Sequence, residues 1–405
     1  MSLYAIGGWL PPKLCLYQRA KLLTLASKLR SSFRPTRRME MKTFCQVQTW
    51  ACVALLTTCV AWAFAQENSS KKEASISVIA STVPANGDLN PYGVFRVPRS
   101  TGSLVRGNLL VSNFNNAKNL QGTGTTIVQI SPDGKRSLFA EIDADHLPGP
   151  CPGGVGLTTA LVVLRRGWVV VGSLPTTDGT AATAKAGCLL VLNRNGNVVE
   201  TFFGSLINGP WDMTVLDGET SADLFVTNVL NGTVAAGGKL VHEGTVTRLT
   251  LDLTQPVPFL QSITVIGSAF PERTDPAALV IGPTGLGLNA NASILYVADS
   301  LNNRIAAIPD PLFRVTSAGD GATVSQGGSL NDPLGLTIAS NGNILTSNGN
   351  NGLMVETSPN GEQLHTALLD STGSPPGSGA LFGVFAVHGG VYYVDDASNT
   401  LNFFH

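Results

Sequence analysis

The chain has 405 residues, a formal charge of −1 and only 13% charged side chains, with 44 glycines. That composition excludes a charge-patterned helical bundle and is too apolar for a disordered chain; it suits short strands joined by turns. Residues 66–405 carry 17 Lys/Arg against 26 Asp/Glu, a net of −9, which argues against nucleic-acid binding and against docking on anionic lipid.

Residues 1–40 are basic and partly apolar, with seven Lys/Arg between Arg19 and Arg38, and read as an extension upstream of a true start at Met39 or Met41. From 41 to 65 the pattern is that of a secretory signal peptide. Lys42 precedes an apolar run, Trp50 to Ala65, that is too short for a comfortable membrane span and closes on Ala63-Phe64-Ala65, a small-x-small cleavage pattern. Cleavage after Ala65 predicts a periplasmic or secreted protein with no stable membrane span in its mature part, 66–405. Four cysteines fall in the removed segment. The two that remain, Cys151 and Cys188, are expected to form one disulfide.

After an isolated apolar stretch, 76–81, the chain repeats a unit six times. Each unit opens on an apolar segment with or beside glycine: Pro91-Tyr92-Gly93-Val94, Gly154-Val155-Gly156-Leu157, Pro210-Trp211-Asp212-Met213, Pro283-Thr284-Gly285-Leu286, Pro333-Leu334-Gly335-Leu336 and Leu381-Phe382-Gly383-Val384. A second strand follows that ends on a small or polar residue, as in Leu109 to Asn113 and Leu224 to Asn228. A third leads into Ser131-Pro132-Asp133-Gly134, Asn193-Arg194-Asn195-Gly196 or Ser358-Pro359-Asn360-Gly361, turns whose Asp-Gly and Asn-Gly pairs supply the positive φ of a tight hairpin. A fourth strand completes the unit. Radially repeated four-stranded antiparallel units make an all-β, six-bladed β-propeller. The chain ends after the third strand of the last unit, so 76–81 is expected to supply its fourth strand and close the ring.

Leu295-Tyr296-Val297-Ala298-Asp299 followed by Asn303-Arg304-Ile305 resembles the NHL repeat, whose second strand ends Val-Ala-Asp and whose turn into the third carries Asn-x-Arg-Ile. Asn350 to Leu353 and Ser398 to Leu401 echo it without the arginine. The resemblance implies an exported NHL-like propeller, a fold that serves binding scaffolds, lyases and hydrolases alike. Gluconolactonase-type members hold a divalent cation with Glu, Asn and Asp, the Glu at the opening of an inner strand. No opening here has a Glu, and the first has Asn90. The Trp-Phe-Thr-Glu signature of virginiamycin B lyase-like propellers is absent.

Ligands of propellers usually sit at the mouth where loops entering the inner strands meet the loops between second and third strands. Tyr92, Trp211 and Phe382 are placed there, with Asn113, Asn228, Asp299 and Asn348 beside them; Asn90, Asn208, Asp332 and Asp395 also fall in these loops. Aromatics with a ring of amides suit a small polar molecule, glycan or protein, so the first expectation is a binding or scaffold domain. The alternative is a metal-dependent hydrolase or lyase, lactonase-like, at the same mouth, with Asn228, Asp299 and Asn348 as oxygen ligands of a divalent cation. His146 with Asp145, and His242 with Glu243, form a further candidate for a zinc or general-base site if their loops converge. His242 and Glu243 belong to a long insertion in the third unit, placed at 229–244.

Overall fold

The structure is a computed structural model and describes residues 74–276 and 278–405. The upstream extension, the signal peptide and its cleavage site lie outside the described residues. Six antiparallel sheets are present. Strand β1 (Ile76–Ser81) precedes blade one, which holds β2 (Leu89–Arg96), β3 (Leu109–Asn115), β4 (Thr126–Ile130) and β5 (Arg136–Glu141). Blade two holds β6 (Leu157–Val163), β7 (Val169–Ser173), β8 (Cys188–Leu192) and β9 (Val198–Phe202). Blade three holds β10 (Pro210–Asp217), β11 (Ser221–Asn228), β12 (Val241–Asp252) and β13 (Phe259–Asp275), with a fifth short strand β14 (Leu279–Ile281) and a helical turn α1 (Thr233–Ala236) before β12. Blade four holds β15 (Pro283–Leu288), β16 (Ile294–Asp299), β17 (Arg304–Pro309) and β18 (Ala322–Gln326), and blade five β19 (Pro333–Ile338), β20 (Ile344–Asn348), β21 (Leu353–Thr357) and β22 (Gln363–Leu368). Blade six has β23 (Leu381–Val387), β24 (Gly390–Asp395) and β25 (Thr400–Phe404), and β1 pairs with β25 at its outer edge, Ile76 opposite Phe404.

Blade-to-blade stacking dictates the residue types. A middle strand is covered on both faces by neighbouring blades, so it reads as an unbroken apolar run. All five residues of β7 (VVVGS) and of β8 (CLLVL) are buried. The outer strands β5 and β22 are largely exposed and accordingly polar. In blades one, three and five the small polar residue near the end of the second strand has a definite task. The hydroxyl of Ser112 accepts from Gly93 N in its own blade and donates to Thr158 O of the next, at 3.0 and 2.8 Å. Thr227 joins Asp212 N to Thr284 O, and Ser347 joins Gly335 N to Phe382 O, in the same manner. These hydroxyls tie inner strands together around the ring where two backbones would otherwise leave polar groups unpaired.

The hairpin turns pack as well as turn. Gly196 (φ 85°) and Gly361 (φ 90°) lie in the left-handed region, and a Cβ at either would collide with the backbone carbonyl of Phe139 or Val324 on the preceding blade. Cys151 and Cys188 form a disulfide spanning 37 residues of sequence, which in the chain-entropy view adds about 3–4 kcal/mol to stability.

Candidate functional site

The signature arginine of blade four acts inside its blade. Asp299 and Arg304 face each other across β16 and β17, and the guanidinium lies 2.8–2.9 Å from Asp299 Oδ2 and 3.0 Å from Asp320 Oδ2. Asn302 also donates to Asp299 Oδ2. The matching amides do similar work: Asn113 donates to Thr126 Oγ1 and to Thr82 O, Asn228 to Thr247 Oγ1, and Asn348 to Ser329 O and to Asn351 Oδ1. Each of these side chains thus ties the end of a second strand to its own blade or the loop beside it. In the alternative cation set of Asn228, Asp299 and Asn348, Arg304 and Asn302 engage only Oδ2 of Asp299. Each member of the set still presents a buried Oδ1 with no partner in the chain.

Tyr92, Trp211 and Phe382 do come together over the axis. Tyr92 stacks on Phe382 with ring centroids 3.9 Å apart and on Phe114 at 4.4 Å, and Trp211 tilts against it at 5.6 Å. All three are buried, because blade three reaches across them. The end of β13 and the strand β14 that pairs back on it, residues 271–276 and 278–281, form a strap that packs Ala278, Leu279, Val280 and Ile281 onto this aromatic cluster. Gln121 of blade one donates to Pro276 O at the strap's tip. In the sequence the strap shows only as spacing: the step from the third repeat opening to the fourth is the longest in the chain. The insertion at 229–244 accounts for part of that length, and the strap for the rest.

Carboxyl groups from three blades gather under and beside the strap. The Tyr92 hydroxyl is pushed well above its usual pKa, first by burial and then by the charges of Asp396 and Asp275. Asp332 is raised to about 7 by burial and by the charge of Asp275, with Ser300 and Arg273 opposing. Asp396 is raised to about 7 by burial and by Asp395 beside it. Arg273 holds Asp275 at 3.0 Å. Around these groups, the Tyr92 hydroxyl lies beside the Asn90 side chain, and Asn208 Oδ1, Trp211 Nε1 and Asp332 Oδ1 are buried with no hydrogen-bond partner in the chain. Buried polar atoms are nearly always satisfied, so a group of orphans on one face marks a place for a bound polar species. Of these residues, Asp275 and Asp396 do not stand out in the sequence.

Below the aromatics, the inner strands enclose a cavity of about 70 Å³ lined by Thr159, Asp212 and Thr337 among apolar side chains. Asp212 Oδ2 accepts from Leu286 N at 2.8 Å, and burial raises this carboxyl to about 7. Neither histidine pair converges. His146 is exposed on a short 3-10 turn and bonds Asp143 at 2.6 Å, while His242 is exposed on β12. Among the described residues no three His, Cys, Asp or Glu side chains form a metal-ligating group.

Neither a protein-family model nor a curated protein matches the sequence. Solved structures do. A putative oxidoreductase (glucose dehydrogenase) from Thermus thermophilus matches 82% of this chain and 100% of its own, at 13% identity and a TM-score of 0.50. A gluconolactonase from Xanthomonas campestris matches 82% of this chain and 89% of its own, at 13% identity and TM-score 0.49. The calcium-binding protein regucalcin from Agrobacterium tumefaciens matches 81% and 94%, at 12% and 0.49. At such identities the likeness concerns the fold alone, and the fold is the six-bladed β-propeller.

Proposed function

We propose that the mouth is the catalytic site of a hydrolase or lyase acting on a small polar substrate such as a lactone or ester. The observation that carries this reading is the gathering of Asp396 and Asp275 around the buried Tyr92 hydroxyl, with Asp332 beside Asp275, beneath the strap. Hydrolysis needs one group to take a proton from the attacking water and another to return a proton to the alkoxide as the carbonyl C–O bond breaks. Two carboxyls held near neutrality can share those roles, one ionised and one protonated. Tyr92 Oη, beside Asn90, and Trp211 Nε1 offer donors to the developing oxyanion. The strap would exclude water from the closed site and would have to open to admit substrate. A divalent cation enters this reading with no step of its own.

The expected result is turnover of a γ- or δ-lactone or aryl ester, falling about 100-fold or more in Asp332→Asn and Asp396→Asn with the melting temperature held or raised. A second reading, a binding scaffold for a glycan or protein, draws on the close packing of Tyr92, Trp211 and Phe382 beneath the strap. Across lactone, ester and elimination substrates, with and without added Ca²⁺ or Mn²⁺, an inert wild-type protein would favour that second reading. The disulfide supports an oxidising location, and we propose export to the periplasm or beyond.

A further inference from the structure

We propose that the face opposite the mouth binds a small, multiply charged oxyanion of the phosphate or sulfate ester class, in a pocket walled by Arg99, Arg106, Arg165 and Arg166. The pocket has a volume of about 470 Å³, a size suited to a phosphorylated or sulfated sugar. It is formed where the loops between first and second strands of blades one, two and three meet, with Gly218 and Glu219 closing the third side.

Chance does not readily put four guanidiniums there. Residues 74–405 contain 15 Lys/Arg in an acidic domain, and four of them face one cavity. Like charges held together cost free energy that a bound anion would return. The loops that carry these exposed arginines are anchored, by the backbone at Arg106 and Arg165 and by the guanidinium at Arg166. Ser100 Oγ accepts from Arg106 N at 2.9 Å, Asp217 Oδ2 accepts from Arg165 N at 2.7 Å, and Arg166 Nη1 donates to Glu219 O at 3.2 Å. The guanidiniums themselves are poorly compensated. Arg165 reaches Asp217 only at 3.9 Å, and among the described residues no carboxylate lies within ion-pairing distance of Arg99, Arg106 or Arg166. Planar guanidinium forks match the paired oxygens of a phosphate or sulfate group, so four of them can grip an anion with two such groups or one group from several sides. A concave pocket of this volume favours a small ligand over a membrane surface.

The test is calorimetric titration of the purified protein at 150 mM salt with inorganic pyrophosphate, glucose 6-phosphate and glucose 6-sulfate, the last two separating phosphate from sulfate as the preferred group. The expected result is saturable one-to-one binding of at least one of the three. Arg99→Ala and Arg106→Ala should each weaken it by about 10-fold or more, with unchanged thermal unfolding, while Arg314→Ala on blade four leaves it intact. The proposal is overturned if no probe binds saturably, if Arg314→Ala weakens binding as much as the pocket variants do, or if the protein binds anionic vesicles and none of the soluble anions.

Discussion

Removing β1 is expected to lower the melting temperature by more than about 10 °C and to promote aggregation. The strand closes blade six from the far end of the chain: Ser75 and His405 exchange both backbone hydrogen bonds, at 2.8 and 3.1 Å, and Thr82 N donates to Asn399 O at 2.9 Å. Ile79 and Ala80 pack against the cluster at the mouth, and Arg136 of blade one donates to Ser81 O, so β1 also seals the seam between the last blade and the first. Losing a ladder of this length, at about 1 kcal/mol net per hydrogen bond plus its packing, would cost about 5 kcal/mol, a large part of the stability of an ordinary domain. A variant lacking residues 74–81, followed by circular dichroism on heating, checks this. A single transition at the wild-type temperature would mean that the ring closes without β1.

Trp211→Ala should destabilise the protein by about 3–5 kcal/mol, the usual cost of removing a fully buried large aromatic. Trp211 has no exposed surface and contacts Tyr92 in a stack that the strap covers. Trp211→Phe should cost much less, since it keeps a ring in the cluster and removes an indole N–H that has no partner in the chain. Denaturant unfolding of both variants separates two roles for this residue. A loss under about 1 kcal/mol in the alanine variant would show that the indole is not part of the packed core and that the strap stands open in solution.

The architecture was legible in the sequence because a propeller repeats its local rules six times. Three second strands carry, near their ends, a hydroxyl that ties the blade to the next: Ser112, Thr227 and Ser347. Each tight hairpin must supply a positive φ, and Gly134, Gly196 and Gly361 do so. The NHL-like motif was legible for the same reason: Asp299 and Arg304 are a cross-strand pair, so their spacing is fixed by one turn. The mouth was legible only in part. That Tyr92, Trp211 and Phe382 meet follows from their equal positions in the repeat. The strap, Asp275 and Asp396 do not, because they sit outside the repeated positions and gain their environment from blades distant in sequence. The basic pocket was hidden likewise, since Arg99 and Arg166 belong to different blades and neither loop looks unusual by itself. The amides Asn113, Asn228 and Asn348 share a repeat position, and that regularity reflects what each does for its own blade.

A buried carboxyl with a raised pKa takes up a proton on folding. Its contribution to stability is therefore complete below about pH 4 and fades as the pH rises through the folded-state value. For Asp212, Asp332 and Asp396 that value is about 7. The most direct measurement is a ¹³C NMR titration of the aspartate carboxyls in the purified protein between pH 3 and 9, repeated on Asp332→Asn and Asp396→Asn for assignment. The expected result is a small set of resonances with midpoints near 7, one of which disappears in each variant. If every aspartate titrates below about pH 5, the mouth carboxyls are solvated and ionised, and an acid–base site beneath the strap is contradicted.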